Sequence, residues 1–266
     1  MSGTRPRETS DGMHPGEHRI MAHVEATHWW YRGLRDAVIR TLARRSIPPG
    51  GKVLDAGCGT GANLAALGRA LQPSYLGGFD VSPEALELAR EKIPGADLYR
   101  SDICDPELHD TGFDVIVSLD VIYIPGTQKA FAGLERLVES LRPGGLLLLN
   151  LPAYDWLFSE HDVAIHTTER YTAGRVRDLL ERLTLRVELL TYRLCFLFPA
   201  VVLSRLPGKL RGARVGDATA RSDLHRAPGP IVNAAFDGAM RFENRLISAG
   251  VRFPWGSSVF AIGTRP

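Results

Sequence analysis

Hydrophobic and polar positions change period twice along this chain, and each change marks a different layer. From about Glu17 to Arg45 the apolar positions return every three or four residues, with HVEATHWWYRGLRDAVIRTLARR at the centre. That spacing predicts an amphipathic helix, and Pro48, Pro49 and Gly50 stop it. Short apolar runs then alternate with helical patterns. Strands are predicted at 52–55, 75–80, 97–100, 113–119 (FDVIVSL) and 146–151 (LLLLNL), the last two apolar enough to be buried on both faces. Helices are predicted at about 61–71, from Pro83 behind the cap Ser82, and at 129–141. Strand–helix alternation of this kind builds a parallel sheet covered on both faces.

Beyond 152 the rhythm changes again. Residues 152–170 read as a loop rich in histidine and aromatics; Thr172 caps a helix to about Leu183. Residues 185–194 alternate like a strand, and SSVFAIGT at 257–264 is the final one. Between those two strands lies an insertion, read as two helices joined by a Gly- and Arg-rich segment. The expected organisation is a disordered tail (1–15), an N-terminal helical cap (16–48), an α/β domain (49–193 with 257–266) and a helical insertion or lid (194–256). No internal repeat is visible.

Composition narrows the function classes. A net charge of +2 gives no global attraction to nucleic acid, and no nucleic-acid partner is expected. Three cysteines without close spacing suit a reducing compartment. The polar start carries no apolar stretch of signal-peptide type, and the longest apolar run, Leu194 to Leu203, is broken by Pro199 and too short to span a bilayer. A cytoplasmic location is therefore expected. Arg205 to Arg226 carries six Lys or Arg against two Asp, so 194–226 is read either as a lid touching lipid or an anionic substrate, or as a solvated linker.

The most informative segment is VLDAGCGTG at 53–61, where a buried strand turns into a helix. Glycines belong there when a ligand comes too close to the backbone for a Cβ. Gly57-x-Gly59-x-x-Ala62, with Asp80 downstream, also satisfies the dinucleotide-binding pattern, so the glycines alone leave a nicotinamide or flavin enzyme open. Asp55 argues the other way. A carboxylate beside the turn repels a pyrophosphate and suits a cationic ligand.

The run 52–151 resembles the class I S-adenosylmethionine-dependent methyltransferase family. VLDAGCGTG is similar to its first motif and GGFDVSPEAL at 77–86 to its second-strand motif; SDI at 101–103 looks like the adenine-pocket segment, and FDVIVSLDVIYI and LRPGGLLLLNLP like the fourth and fifth strands. The resemblance implies a Rossmann-like, seven-stranded, mostly parallel sheet with an antiparallel last strand, and S-adenosyl-L-methionine as cofactor. It places Gly57, Gly59 and Gly61 under the methionine moiety and Asp55 near its amino group. Asp80, next to Val81, would accept from the ribose hydroxyls and Asp102 from the adenine amino group, with Ile103 and Leu119 along the ring. The stretch Glu25-x-x-His28-Trp29-Trp30-Tyr31-Arg32 looks like the opening of a bacterial natural-product and lipid-related subgroup, whose N-terminal helix caps the cofactor; Tyr31 would then face the cofactor.

The acceptor side is less determined. His28, Trp29, Arg32, Tyr154, Trp156 and Arg170 are candidate substrate contacts, supplying aromatic faces and cationic donors. His161, His166, Tyr171 and Glu25 are candidate proton acceptors. His161, Asp162 and His166 come with no helical HxxxH or CxxC pair, so no metal is expected. The leading reading is methyl transfer to a small molecule with an apolar body and a polar or anionic head, an isoprenoid diphosphate methylated on carbon being one version and an indole or other aromatic natural product another. An NAD(P)-dependent oxidoreductase and a non-catalytic cofactor-binding module are the rival classes.

Overall fold

A computed structural model describes residues 17–159, 162–163, 166–203 and 229–266. The tail at 1–15 and the centre of the insertion, 204–228, lie outside the described residues, and so does His161. The chain runs α1 (Glu17–Val24), α2 (Trp29–Leu42), β1 (Lys52–Ala56), α3 (Ala62–Leu71), β2 (Tyr75–Asp80), α4 (Pro83–Lys92), β3 (Asp97–Arg100), β4 (Phe113–Leu119), α5 (Thr127–Ser140) and β5 (Leu141–Pro152). After a short 3-10 turn come α6 (Ala173–Arg182), β6 (Arg186–Arg193), α7 (Pro230–Ser248) and β7 (Ser258–Thr264).

The seven strands form one sheet in the order β3-β2-β1-β4-β5-β7-β6. Neighbouring strands from β3 to β5 pair in parallel, and β7 enters between β5 and β6, antiparallel to both. That is the expected Rossmann-like sheet. The apolar runs are sorted by parity, as strands buried on two faces require. Leu147, Leu149, Leu151, Val259 and Ala261 join the core under α5 and α6, while Leu146, Leu148, Phe260 and Ile262 join the core under α2 and α7.

The N-terminal helix is not continuous. His28 breaks it, capping α2 in extended backbone geometry (φ −69°, ψ 129°), with Nδ1 accepting from the Trp30 N–H at 3.3 Å. An imidazole at this position satisfies one of the donors that every helix start leaves open. Two segments thus replace one, and the bend lets α1 pack on α4 while α2 packs on α7. Asn244 of α7 fastens the second contact, donating to the Gly33 carbonyl (2.8 Å) and Asp36 (2.9 Å).

Gly133 in α5 shows how closely the helix layer approaches the ligand edge of the sheet. A Cβ there would stand 1.8 Å from the Ile103 carbonyl oxygen. Gly133→Ala should cost ~1–3 kcal/mol by overpacking. At ~2–4 °C per kcal/mol for a chain of this size, a thermal melt should reveal it.

Candidate functional site

A cavity of about 1120 Å³ opens over the carboxyl ends of β1, β2 and β4, closed from above by α1, α2 and residues 194–201. This is the crevice where open α/β sheets bind ligands. Its floor is the glycine turn. Gly57 (φ +88°) and Gly61 (φ +82°) lie in the left-handed region, and a Cβ on Gly57 would stand 2.3 Å from a Val121 methyl. Conformation and space both demand glycine there.

Three carboxylates stand at this edge on neighbouring strands. Asp80, ending β2, accepts from the Gly59 N–H and the Ser82 N–H, each at 2.9 Å. One acceptor site on each oxygen is thereby used, and one on each remains. Asp55, near the end of β1, is buried, and its Oδ2 has no hydrogen-bond partner. Burial, reinforced by the Asp80 charge, pushes its pKa up to about 8. Asp120 follows β4 in left-handed geometry (φ +57°), and both its oxygens accept from Asn150 Nδ2, at 3.0 and 2.8 Å. Burial raises its pKa to about 7, against the pull of Asn150, Arg193 and Arg170. Asp120 was not among the residues expected at the site; its sequence signal is its place directly after a buried strand.

Val81, Asp102, Ile103 and Leu119 line the cavity as expected. Asp102 keeps its local turn, accepting from the Cys104 N–H at 2.9 Å. The caps His28, Trp29 and Tyr31 also line it. Burial lowers the His28 pKa, so its ring is neutral near pH 7. Trp29 meets Phe236 of α7 edge to face, with centroids 5.3 Å apart. One turn past Tyr31 stands Arg35, also missed from sequence. Its Nη2 donates to the Glu25 carbonyl and its buried Nη1 has no partner. The spacing 28, 31, 35 puts these side chains on one helix stripe, which is the signal that marks Arg35.

Several expected site residues serve the scaffold instead. Arg32 faces α7 and pairs with Asp237 at 3.2 Å. The Glu25 carboxylate is held by Thr60 Oγ1 (2.7 Å) and by Lys92, clamping the helical cap to the glycine turn, which leaves it poorly placed as a base. Arg170 lines the cavity with its donors committed: Nη2 and Nε to Asp162 (2.7 and 2.9 Å), Nη1 to the Ala153 carbonyl (2.8 Å). A buried guanidinium needs these partners, so it is a strut rather than an anion receptor. Tyr171 is buried in the core under α5 and α6, its hydroxyl 3.1 Å from both Glu169 and Thr127. Tyr154 stacks on Tyr192 at 5.2 Å, and Trp156 is 50% exposed; neither lines the cavity. His166 does line it, in left-handed geometry (φ +56°).

Residues 53–145 match the family model described as a methyltransferase domain. Residues 53–145, about a third of the chain, thus resemble a methyltransferase domain. Among its relatives is the phthiotriol/phenolphthiotriol dimycocerosates methyltransferase of Mycobacterium leprae (strain TN), 31% identical over 100 residues, which cover 37% of this chain and 36% of the relative. A trans-aconitate 2-methyltransferase of Acidovorax sp. (strain JS42) is 31% identical over 144 residues, 53% of this chain and 51% of the relative. The matched parts thus span about a third to a half of these relatives. A solved S-adenosylmethionine-dependent methyltransferase from Mesorhizobium loti shares the fold at a TM-score of 0.56 and 15% identity, over 85% of this chain and 95% of that one.

The residues at this turn and on the helix above it fit S-adenosylmethionine. The unpartnered Asp55 oxygen suits an ammonium group and the unpartnered Arg35 nitrogen a carboxylate, and the glycine turn leaves room for the chain between them. Among the described residues no group of three or more His, Cys, Asp or Glu is arranged to hold a metal ion.

Asp55 makes the empty fold pH-sensitive in a defined direction. Its folded pKa lies above its ordinary value, so the folded protein keeps a proton that the unfolded chain has released. The stability this confers is full at low pH and is lost as pH rises through about 8. Asp55→Asn keeps the neutral form at every pH. The melting-temperature difference, Asn variant minus wild type, should therefore grow from about pH 5 to about pH 8, and a difference that stays flat contradicts a raised Asp55 pKa.

Proposed function

We propose that this protein is an S-adenosylmethionine-dependent methyltransferase acting on a small molecule with an apolar body and a polar head. The observation that carries the reading is the pair of acidic groups at the glycine turn, Asp55 with one oxygen unpartnered and Asp80 held by the Gly59 N–H. A pyrophosphate would meet the Asp80 carboxylate and keep Asp55 from ionising, whereas a ligand bearing a sulfonium and an ammonium favours the charged form of both. That separates methyl transfer from the nicotinamide alternative. Bound S-adenosylmethionine supplies an activated methyl group on a good leaving group. The protein's own task is then positioning, a contribution of up to ~7–11 kcal/mol in favourable systems.

In this reading Asp80 uses its remaining acceptor sites on the ribose hydroxyls, Asp102 and Ile103 meet the adenine, and Arg35 meets the methionine carboxylate. The acceptor lies on the far side of β4, against Leu194, Leu197, Val201, Phe236 and Trp29. These walls favour an apolar or aromatic body. An indole or similar ring system fits them better than an isoprenoid diphosphate, because Arg170 is committed to Asp162. The described cations left on the cavity wall, Lys129 and Arg35, stand on different helices rather than as a diphosphate cluster. Lipid contact through 194–226 rests largely on residues beyond those described; no helix among the described residues is long and apolar enough to cross a membrane.

Calorimetry tests the cofactor. The purified protein should bind S-adenosylmethionine and S-adenosylhomocysteine but not NAD. Asp80→Ala should weaken both by about tenfold or more, since hydrogen bonds to a charged group contribute ~1.5–3 kcal/mol. Unchanged affinity in Asp80→Ala, or tight NAD binding, would end this reading.

A further inference from the structure

β4 is the boundary strand of the sheet. On one side lie β1, β2 and β3, whose loops build the glycine turn and the Asp80 and Asp102 wall; on the other lie β5, β7 and β6. Asp120 stands at the end of this boundary strand and lines the cavity. Its neighbour Val121 touches the glycine turn so closely that Gly57 can carry no side chain. A ligand seated on that turn and an acceptor against Leu194 and Phe236 must therefore meet near Asp120.

The carboxylate is held as well as placed. Asn150, at the end of β5, donates its amide to both Asp120 oxygens, and Asp120 N–H bonds back to the Asn150 carbonyl at 2.9 Å. The Asn150 side-chain oxygen accepts from Arg193 Nη1 at 3.2 Å, which fixes the amide the right way round. Arg193 is itself fully buried, and Glu243 of α7, whose charge stabilises it, accepts from the Leu194 N–H (2.6 Å) and the Phe196 N–H (3.2 Å). Hydrogen-bonded polar groups thus run from β6 through β5 to one carboxylate in the cavity, with the Glu243 charge of α7 behind them. Buried polar groups are costly where they are left unpaired, as two of the Arg193 nitrogens are.

We propose that Asp120 takes the proton from the reacting atom of the methyl acceptor, so that this atom is an N–H or O–H nucleophile rather than an alkene carbon or a thioether. The inference rests on the methyltransferase reading above. As the proton passes to an Asp120 oxygen, the nucleophile's lone pair forms the new bond to the methyl carbon, and the carbon–sulfur pair stays on sulfur. The products are the methylated acceptor, a neutral thioether and a protonated Asp120, which returns its proton to water. The charged and titratable groups around Asp120 are Arg193 from β6, Arg170 with its partner Asp162 from the loop after β5, and Tyr123 from its own segment. Across the cavity stand Tyr31, Arg35 and neutral His28. With a pKa of about 7, Asp120 is mostly ionised just above neutrality, as a proton acceptor requires.

Sinefungin tests this without knowledge of the acceptor, because it carries an ammonium where S-adenosylmethionine carries its methyl group. Its affinity should be compared with that of S-adenosylhomocysteine by calorimetry. Wild type should prefer sinefungin, and the preference should grow as pH rises from about 6 to about 8 and Asp120 ionises. Asp120→Asn should lose about tenfold of that preference while S-adenosylhomocysteine binds within about twofold of wild type. A preference that is independent of pH, or unchanged in Asp120→Asn, overturns the proposal, and the wild-type pH series stands even if the variant folds poorly. Failure of wild type to bind either ligand overturns the methyltransferase reading instead.

Discussion

Negative charge crowded into a buried crevice is the constraint on which the rest of this structure depends. Asp80 ends β2, Asp120 follows β4 and both line the cavity, while Asp55, one residue before the end of the adjacent β1, is buried just ahead of the glycine turn. Two of the three have pKa values raised by burial, to about 8 and about 7. Carboxylates taken out of water without matching cations recover their charge only when a cation arrives. The protein arranges little of that compensation itself: backbone N–H groups serve Asp80, an amide serves Asp120, and one oxygen of Asp55 is served by nothing. A ligand with positive charge spread over several ångströms relieves the whole row.

The same constraint accounts for the helical cap. Leaving such a crevice open would let water screen the interactions that select a cationic ligand. α1 and α2 cover it, and Glu25 with Thr60 and Lys92 ties the cover to the glycine turn. On the other flank α7 supports α2 through Asn244 and carries Phe236 to the cavity wall. The described parts of 194–256 also reach toward Asp120: Glu243 holds the Leu194 N–H next to Arg193, and Arg193 donates to Asn150, which holds Asp120.

The sheet and its cofactor edge were legible because they rest on local, periodic signals. Strand parity, the Ser82–Pro83 helix start and the glycine turn each follow from a few neighbouring residues, and β1 to β5 came out close to expectation. The break at His28 was not legible, because histidine rarely caps a helix and the apolar period runs straight through it. Roles that depend on pairing across the chain misled most. Arg170, Tyr171, Glu25 and Arg32 have the right chemistry for a site, yet each is consumed by a partner between 2 and 205 residues away in sequence: Asp162, Glu169, Thr60 and Asp237. Asp120 was missed for the converse reason. Nothing in the string VSLDVIY separates a cavity carboxylate from a solvated turn until β5 brings Asn150 beside it.

That difference has a physical basis which extends to how acceptor choice evolves on such a fold. In the proposed function, cofactor contacts would come from the ends of β1, β2 and β4, whose positions are dictated by a close-packed sheet and tolerate little change. Acceptor contacts would come from helices and loops laid over it, where Leu194, Leu197 and Phe236 line the cavity without belonging to a strand. Asp120 belongs to the first group by position and to the second by role. On the proposal above, a carboxylate fixed by the sheet but facing that wall would let the acceptor's body differ while the fate of its proton stays the same. The buried Arg193–Asn150 pair is the structural cost of keeping that carboxylate in place, since an arginine with two unpartnered buried nitrogens is hard to justify by stability alone.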